Sequence, residues 1–114
     1  MDGGVIIAAE KQFENKIKKY IEEQGGWQVK FFANRMTKNG IPDLLCCVGG
    51  YFVAIEVKAQ NGRPSELQLY HCRKIREAGG FAFIVYPSGW EELKKILYML
   101  KNGYFDTDMD LILK

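Results

Sequence analysis

The sequence predicts an α/β domain (α+β by stricter classification) in which helices flank a mixed β-sheet. Two strand-like runs, LLCCV and YFVAIEVK, flank Gly49-Gly50, a dipeptide typical of two-residue hairpin turns. A helical pattern and a further apolar run, FAFIVY, follow the hairpin and indicate a crossover between parallel strands. With a helix and a strand before the hairpin and a helix at the end, the predicted order is α-β-β-β-α-β-α.

The first helix is predicted from apolar residues that recur on one helical face: Ala9, Phe13, Ile17, Tyr20 and Ile21. Gly25-Gly26 should end this helix. A first strand is expected over residues 27–32, where apolar and more polar residues alternate.

Capping patterns place the two later helices. Ser65 and Gln68 form a capping-box pattern that begins a helix over residues 65–78, which Gly79-Gly80 ends. Ser88 and Glu91 suggest a second capping box before a last helix over residues 90–101. The alternating tail after Gly103 receives no assignment.

Composition sets limits on the class of protein. The 114 residues suffice for one domain, 1–114, with one core, and no apolar stretch reaches the ~18 residues that cross a bilayer. A net charge of +2 permits a nucleic-acid partner without requiring one. Three cysteines, two of them adjacent, fit neither a disulfide framework nor zinc-ligand spacing. We therefore expect a cytoplasmic protein without a secretory signal or a membrane segment.

The hairpin brings unlike residues together. If Gly49 and Gly50 form the turn, the register places Asp43 opposite Glu56, with Cβ atoms about 4.5–5.5 Å apart. One face of the hairpin is then wholly apolar. The other face carries Asp43, Glu56 and Lys58 at one end only.

Two facing carboxylates repel each other unless a cation lies between them. A divalent cation with oxygen ligands would remove this conflict, and an ammonium group beside it suits metal-assisted phosphodiester hydrolysis. The alternative interpretation is structural: Asp43 caps a turn after Pro42, and Glu56 forms an ion pair with Lys58. The residues alone leave both interpretations open.

At these residues the chain resembles a known family. Ile41-Pro42-Asp43 followed by Glu56-Val57-Lys58 is similar to the PD-(D/E)xK nuclease motif. The segments EKQFENK, GIPDLL, FVAIEVKAQNGRPSELQ and REAGGFAF look like those of stand-alone bacteriophage VRR-NUC nucleases. The resemblance implies one restriction-endonuclease-like PD-(D/E)xK (VRR-NUC) domain over residues 1–114. It also implies phosphodiester hydrolysis with Mg²⁺ or Mn²⁺.

The resemblance also implies roles for four central residues. Asp43 and Glu56 would bind the metal through carboxylates, and Val57 through its backbone carbonyl. Lys58 would orient the attacking water or stabilise the transition state.

Outside this strand pair, the family tends to supply a glutamate from the first helix, for which we prefer Glu14 to Glu10. Gln68 matches a glutamine that lies near the catalytic lysine, although the capping box explains the same residue. Trp27 and Trp90 are expected to be core or interface anchors rather than base-stacking platforms.

The implied substrate is DNA in the form of a four-way (Holliday) junction, cut by a homodimer. Five basic residues are candidates for DNA contact: Lys16, Lys19, Arg35, Lys38 and Arg63. Three alternatives stay open. They are a nicking, flap or restriction-like nuclease guided by a partner protein, a non-catalytic DNA-binding module on the same scaffold, and a nuclease that acts on RNA.

Overall fold

The computed structural model describes residues 3–32, 36, 39–103 and 108–114, with side chains from residue 8 onward. The helices are α1 (Gly3–Glu23), α2 (Glu66–Glu77) and α3 (Trp90–Lys101), and a short 3-10 turn covers Pro87–Gly89. The strands are β1 (Trp27–Lys30), β2 (Leu44–Val48), β3 (Tyr51–Val57), β4 (Phe81–Val85) and β5 (Ile112–Leu113).

The strands form one mixed sheet in the order β1-β2-β3-β4-β5. The β1–β2 and β2–β3 pairs are antiparallel, whereas β3–β4 and β4–β5 are parallel. The predicted α/β class and the order of the first seven elements are confirmed. The fifth strand lies in the tail that the sequence pattern left unassigned.

The hairpin between β2 and β3 has the predicted register. Leu44 pairs with Ile55 and Val48 with Tyr51. Gly49 and Gly50 have φ angles of 60° and 88°, which residues other than glycine rarely adopt. A Cβ atom on Gly49 would also overlap the carbonyl oxygen of Leu100, so the turn packs tightly against the end of α3.

Each face of the sheet has its own hydrophobic cluster. On one face, α1 and α3 pack against Leu44, Val53 and Ile55, because their apolar stripes point at the sheet. On the other face, α2 packs through Cys72 against Ala54 and other residues of the central strands. The site-bearing ends of β2 and β3 therefore lie between two packed layers.

One expectation is wrong. The second capping box does not form: Gly89, not Ser88, precedes α3, with no side-chain cap. Pro87 starts a 3-10 turn there, and the hydroxyl of Ser88 instead accepts a hydrogen bond from Gln60. Trp27 lies on the edge strand β1 and is 62% exposed, so it is not a core residue, and its role as an interface anchor stays a prediction. Trp90 does pack between Phe13 and Tyr20 on the core.

All three cysteines are free thiols; Cys46 and Cys72 are buried, and Cys47 is exposed. Within the described ranges, no helix has the length and apolar character that crossing a membrane requires.

Candidate active site

Asp43 lies one residue before β2, at the end of the hairpin ladder. Its backbone carbonyl accepts a hydrogen bond from the N–H of Phe31 at 2.8 Å. Its carboxylate oxygen Oδ2 accepts one from the backbone N–H of Val57 at 3.0 Å. The ladder ends one residue before the predicted pair, but these contacts hold the Asp43 carboxylate beside Glu56 and Val57.

Glu56, the penultimate residue of β3, is 4% exposed. Its oxygen Oε2 accepts a hydrogen bond from Nε2 of Gln68 at 3.0 Å and lies 3.7 Å from Nζ of Lys58. The other oxygen, Oε1, is buried and has no hydrogen-bond partner within the described part of the chain. A buried acceptor without a partner is costly, so this atom requires an explanation.

The environment of Glu56 favours its neutral form. Burial raises the pKa of Glu56 to about 8, and the nearby charge of Asp43 acts in the same direction. The ammonium group of Lys58 opposes this shift without cancelling it. A positive charge between the two carboxylates would reverse the preference and favour ionised Glu56.

Gln68 contacts both the helix cap and the site. Its side-chain oxygen Oε1 accepts a hydrogen bond from the backbone N–H of Ser65, and its backbone N–H donates one to Oγ of Ser65. These bonds are the predicted capping box, which is confirmed. The side-chain nitrogen Nε2 remains available and donates a hydrogen bond to Glu56. Gln68 therefore caps α2 and contacts the candidate site in one and the same arrangement.

Glu14 reaches the site through a lysine that the sequence reasoning missed. Nζ of Lys30, on β1, lies 2.6 Å from Oε1 of Glu14 and 3.5 Å from Oδ1 of Asp43. Lys18, one turn along α1, contacts the second oxygen of Glu14 at 3.3 Å. Burial alone would lower the pKa of Lys30, but the bonds and charges of Glu14 and Asp43 outweigh it and raise that pKa.

These groups line a cleft of about 270 Å³ at the end of the hairpin. Its lining residues come from α1, β1 and the segments beside them: Glu10, Lys11, Glu14, Lys18, Lys30, Phe32 and Asp43. Lys30 pairs with Leu44, the neighbour of Asp43, in a register between β1 and β2 that no short sequence pattern indicates.

The loop after Lys58 is tied to the end of β4. The hydroxyl of Tyr86 donates to the carbonyl of Gly62 at 2.8 Å. Gln60 and Ser88 exchange two hydrogen bonds, of 3.0 and 3.1 Å. Lys58 itself donates its backbone N–H to Val85 at 2.9 Å. The chain is therefore anchored to β4 and its end both at Lys58 itself and in the loop that follows it.

Three of the five residues predicted to contact DNA lie within the described part of the chain. Arg35 and Lys38 lie outside the described residues. Arg63 is exposed in the loop that follows Lys58. Lys16 and Lys19 are exposed on α1, and Nζ of Lys16 lies 5.8 Å from the centre of the Trp90 ring, near α3.

The donor set fits a divalent cation that keeps several waters. The described residues contain no group of three His, Cys, Asp or Glu side chains close enough to form a full metal cage. Mg²⁺ does not need one, because it is commonly held by one or two carboxylates with water and phosphate completing the shell. The carboxylates of Asp43 and Glu56 supply that minimum, and Oε1 of Glu56 has no other partner among the described residues.

Comparison with known proteins gives a family. A model of the archaeal Holliday junction resolvases matches residues 8–96, more than three quarters of the chain. The chain belongs to this resolvase family. A comparison with curated proteins finds no similar sequence.

Membership of the resolvase family decides the class of activity. The resolvase is a structure-specific DNA endonuclease that acts on Holliday junctions, and a metal-dependent hydrolase. The match begins within α1 and ends within α3, so it includes every element that contributes a residue to the site described above.

Proposed function

We propose that Asp43 and Glu56, with the backbone carbonyl of Val57, hold Mg²⁺ or Mn²⁺ and that this site cuts the strands of a four-way DNA junction. The observation that carries the proposal is the buried Oε1 of Glu56 beside the Asp43 carboxylate, an oxygen for which the described part of the chain provides no hydrogen-bond partner. A cation ligated there would give this oxygen a partner. It would also offset the repulsion between the two acids.

The chain's own groups then have distinct tasks. When bound, the divalent cation supplies Lewis-acid chemistry to the phosphoryl group and to nearby water. Lys58, held beside Glu56, places an ammonium group against the phosphate oxygens and stabilises their charge as the bond breaks. Gln68 fixes the orientation of the Glu56 carboxylate. Glu14 stays a predicted ligand, connected to Asp43 through Lys30.

The proposal extends to assembly, location and subfamily. One chain carries one such site, and a four-way junction presents two equivalent strands, so a two-fold homodimer suits the substrate. Residues 1–114 form one nuclease domain. Three free thiols suit the reducing cytoplasm, which is the host cytoplasm if a phage encodes the chain. The motif EKQFENK and the segment from Phe52 to Gln68 support the likeness to stand-alone bacteriophage VRR-NUC nucleases.

The test is a cleavage assay with Mg²⁺ or Mn²⁺ on labelled four-way-junction, flap, linear-duplex and single-stranded DNA. Wild type is compared with Asp43→Asn and Lys58→Ala. The matched controls are Glu92→Gln and Lys95→Ala, which change an exposed acid and an exposed base on α3. We expect junction cutting that needs metal, falls by at least about a hundredfold in both site variants and persists in both controls.

Each alternative predicts a different result. Equal cutting of junction and linear duplex would remove the junction selectivity. Tight DNA binding without cutting in any metal would favour a non-catalytic module, and cutting only with added replication proteins would favour a partner-guided flap or nicking nuclease. Equal cutting of an RNA junction would extend the substrate beyond DNA. Full activity in Asp43→Asn would contradict the proposed metal site.

A further inference from the structure

Lys30 holds two acidic side chains from different elements together. It projects from the edge strand β1, where its backbone pairs with Leu44. Its ammonium group lies between Glu14 of α1 and Asp43, the residue before β2, and its side chain is 25% exposed. Without this cation, Asp43 would have no ion-pair partner among the described residues, and Glu14 would keep only Lys18.

The contacts of Asp43 divide between its two oxygens. Oδ2 accepts the N–H of Val57, which orients the carboxylate. Oδ1 lies 3.5 Å from Nζ of Lys30. The oxygen oriented away from the backbone donor is therefore the one beside the ammonium group.

The two contacts of Lys30 are unequal. Its distance to Glu14 is that of a short, charge-assisted hydrogen bond, 2.6 Å, whereas its distance to Asp43 is 3.5 Å. A lysine side chain has a flexible four-carbon stem, so Nζ can leave the weaker partner and keep the stronger one. In this arrangement Glu14 holds the displaced ammonium group, which replaces the metal-ligand role predicted for it.

We propose that Lys30 is a built-in counter-ion that occupies the cation position beside Asp43 until a divalent metal ion binds, and then withdraws towards Glu14. This inference rests on the proposed function, because it takes Asp43 as a metal ligand. Because Oδ2 of Asp43 already accepts the N–H of Val57, a metal ion would use Oδ1 and meet the Lys30 ammonium group there, and repulsion between the two cations moves the ammonium group away. Lys30 thereby keeps the acids in place before metal binds and sets how tightly metal binds.

The test measures metal binding without DNA or catalysis. Mn²⁺ affinity is measured by electron paramagnetic resonance or calorimetry in wild type, Lys30→Met, Lys30→Gln and Lys18→Met. Lys18→Met is the matched control, because Lys18 also contacts Glu14 but has no contact with Asp43 among its ion pairs. We expect Mn²⁺ to bind about tenfold more tightly to both Lys30 variants, and within about twofold of wild type to Lys18→Met.

Stability provides a second readout that separates this role from simple scaffolding. With EDTA present, Lys30→Met should unfold at a lower temperature than wild type, because Glu14 and Asp43 lose their shared cation. If Lys30 were only a scaffold residue, its substitution would lower both the stability of the protein and its Mn²⁺ affinity. If Lys30 is a counter-ion, the substitution lowers the stability and raises the Mn²⁺ affinity. In wild type, the NMR signal of the Lys30 ammonium group should shift on addition of Mg²⁺.

Unchanged or weaker Mn²⁺ binding in the Lys30 variants would overturn the inference, as would equal tightening in Lys18→Met. Asp43→Asn separates this failure from that of the proposed function. If Asp43→Asn abolishes Mn²⁺ binding while Lys30→Met does not tighten it, only the counter-ion role fails. If Asp43→Asn binds Mn²⁺ like wild type, the proposed metal site itself is wrong.

Discussion

The side chain of Gln68 joins the first turn of α2 to Glu56, donating a hydrogen bond from Nε2 to Oε2 at 3.0 Å while its Oε1 accepts from the N–H of Ser65. A capping box usually serves only the helix. Here the same residue also orients a buried carboxylate of the candidate active site. A change at Gln68 should therefore affect both folding and catalysis, whereas a change at Ser65 should affect mainly folding.

Substitution of Gln68 by Ala should lower the cleavage rate by about 10- to 100-fold, a range typical for loss of a group that orients a metal ligand. It should also lower the free energy of unfolding by about 1–2 kcal/mol through loss of the cap. Ser65→Ala is the control that weakens the cap but keeps the amide beside Glu56. Comparable losses of activity in both variants, at temperatures where both are folded, would show that Gln68 acts only through the helix.

The raised pKa of Glu56 makes the metal-free protein less stable as the pH rises. Its folded pKa of about 8 lies above the ordinary value of 4.5, so its stabilising contribution is complete below pH 4.5 and disappears as the pH rises through 8. Glu56→Gln has no such titration. In EDTA at pH 8, we expect this variant to exceed wild type in free energy of unfolding by about 1–3 kcal/mol.

Urea denaturation between pH 5 and pH 8.5 measures this difference. The advantage of Glu56→Gln should shrink towards pH 5, and the variant should not cleave DNA. A constant difference across the pH range would show that Glu56 does not titrate there. Glu92→Gln, an exposed acid on α3, controls for the change in net charge.

The hairpin turn offers a matched pair of glycines. Gly49→Ala places a methyl group against the Leu100 carbonyl oxygen, where it overlaps that atom, whereas a Cβ on Gly50 meets nothing within 4 Å. Both positions have a positive φ, so both variants carry backbone strain of about 1–2 kcal/mol. Gly49→Ala must also displace the end of α3, and we expect a total loss of about 3 kcal/mol or more. Equal losses in urea denaturation would contradict this packing argument.

Arg76 anchors the tail that contains β5. Its guanidinium group donates to the carbonyls of Ala82, Met109 and Asp110 at 2.7 to 2.9 Å. Lysine lacks this planar set of donors, so Arg76→Lys should lower the free energy of unfolding by about 2–3 kcal/mol.

Hydrogen exchange can locate the loss. The backbone N–H groups of Ile84 and Tyr86 donate to Leu111 and Leu113 in the tail, and they should exchange faster in Arg76→Lys. Arg73→Lys changes an exposed arginine on the same helix and should leave both exchange rates close to wild type. Unchanged exchange at Ile84 and Tyr86 in Arg76→Lys would show that the tail does not depend on the guanidinium group.

Local patterns predicted the parts of the fold that local forces determine. The glycine turn fixed the register of β2 and β3, and Ser65 with Gln68 marked the start of α2. Lys30 and β5 were missed for another reason. Their positions depend on pairing with distant strands, so neither has a signal within a short window of sequence. Ser88 has the residue pattern of a cap, but Pro87 and the contact with Gln60 direct it elsewhere.

The ties between the loop after Lys58 and the end of β4 have a consequence for the entropy of substrate binding. Tyr86, Gln60 and Ser88 immobilise this loop when the chain folds. Ordering one residue costs about 1–2 kcal/mol of conformational free energy, and here that cost falls on folding rather than on recognition. A DNA strand that reaches Lys58 would therefore lose little binding energy to ordering this loop, and more of it can be used to align the scissile phosphate.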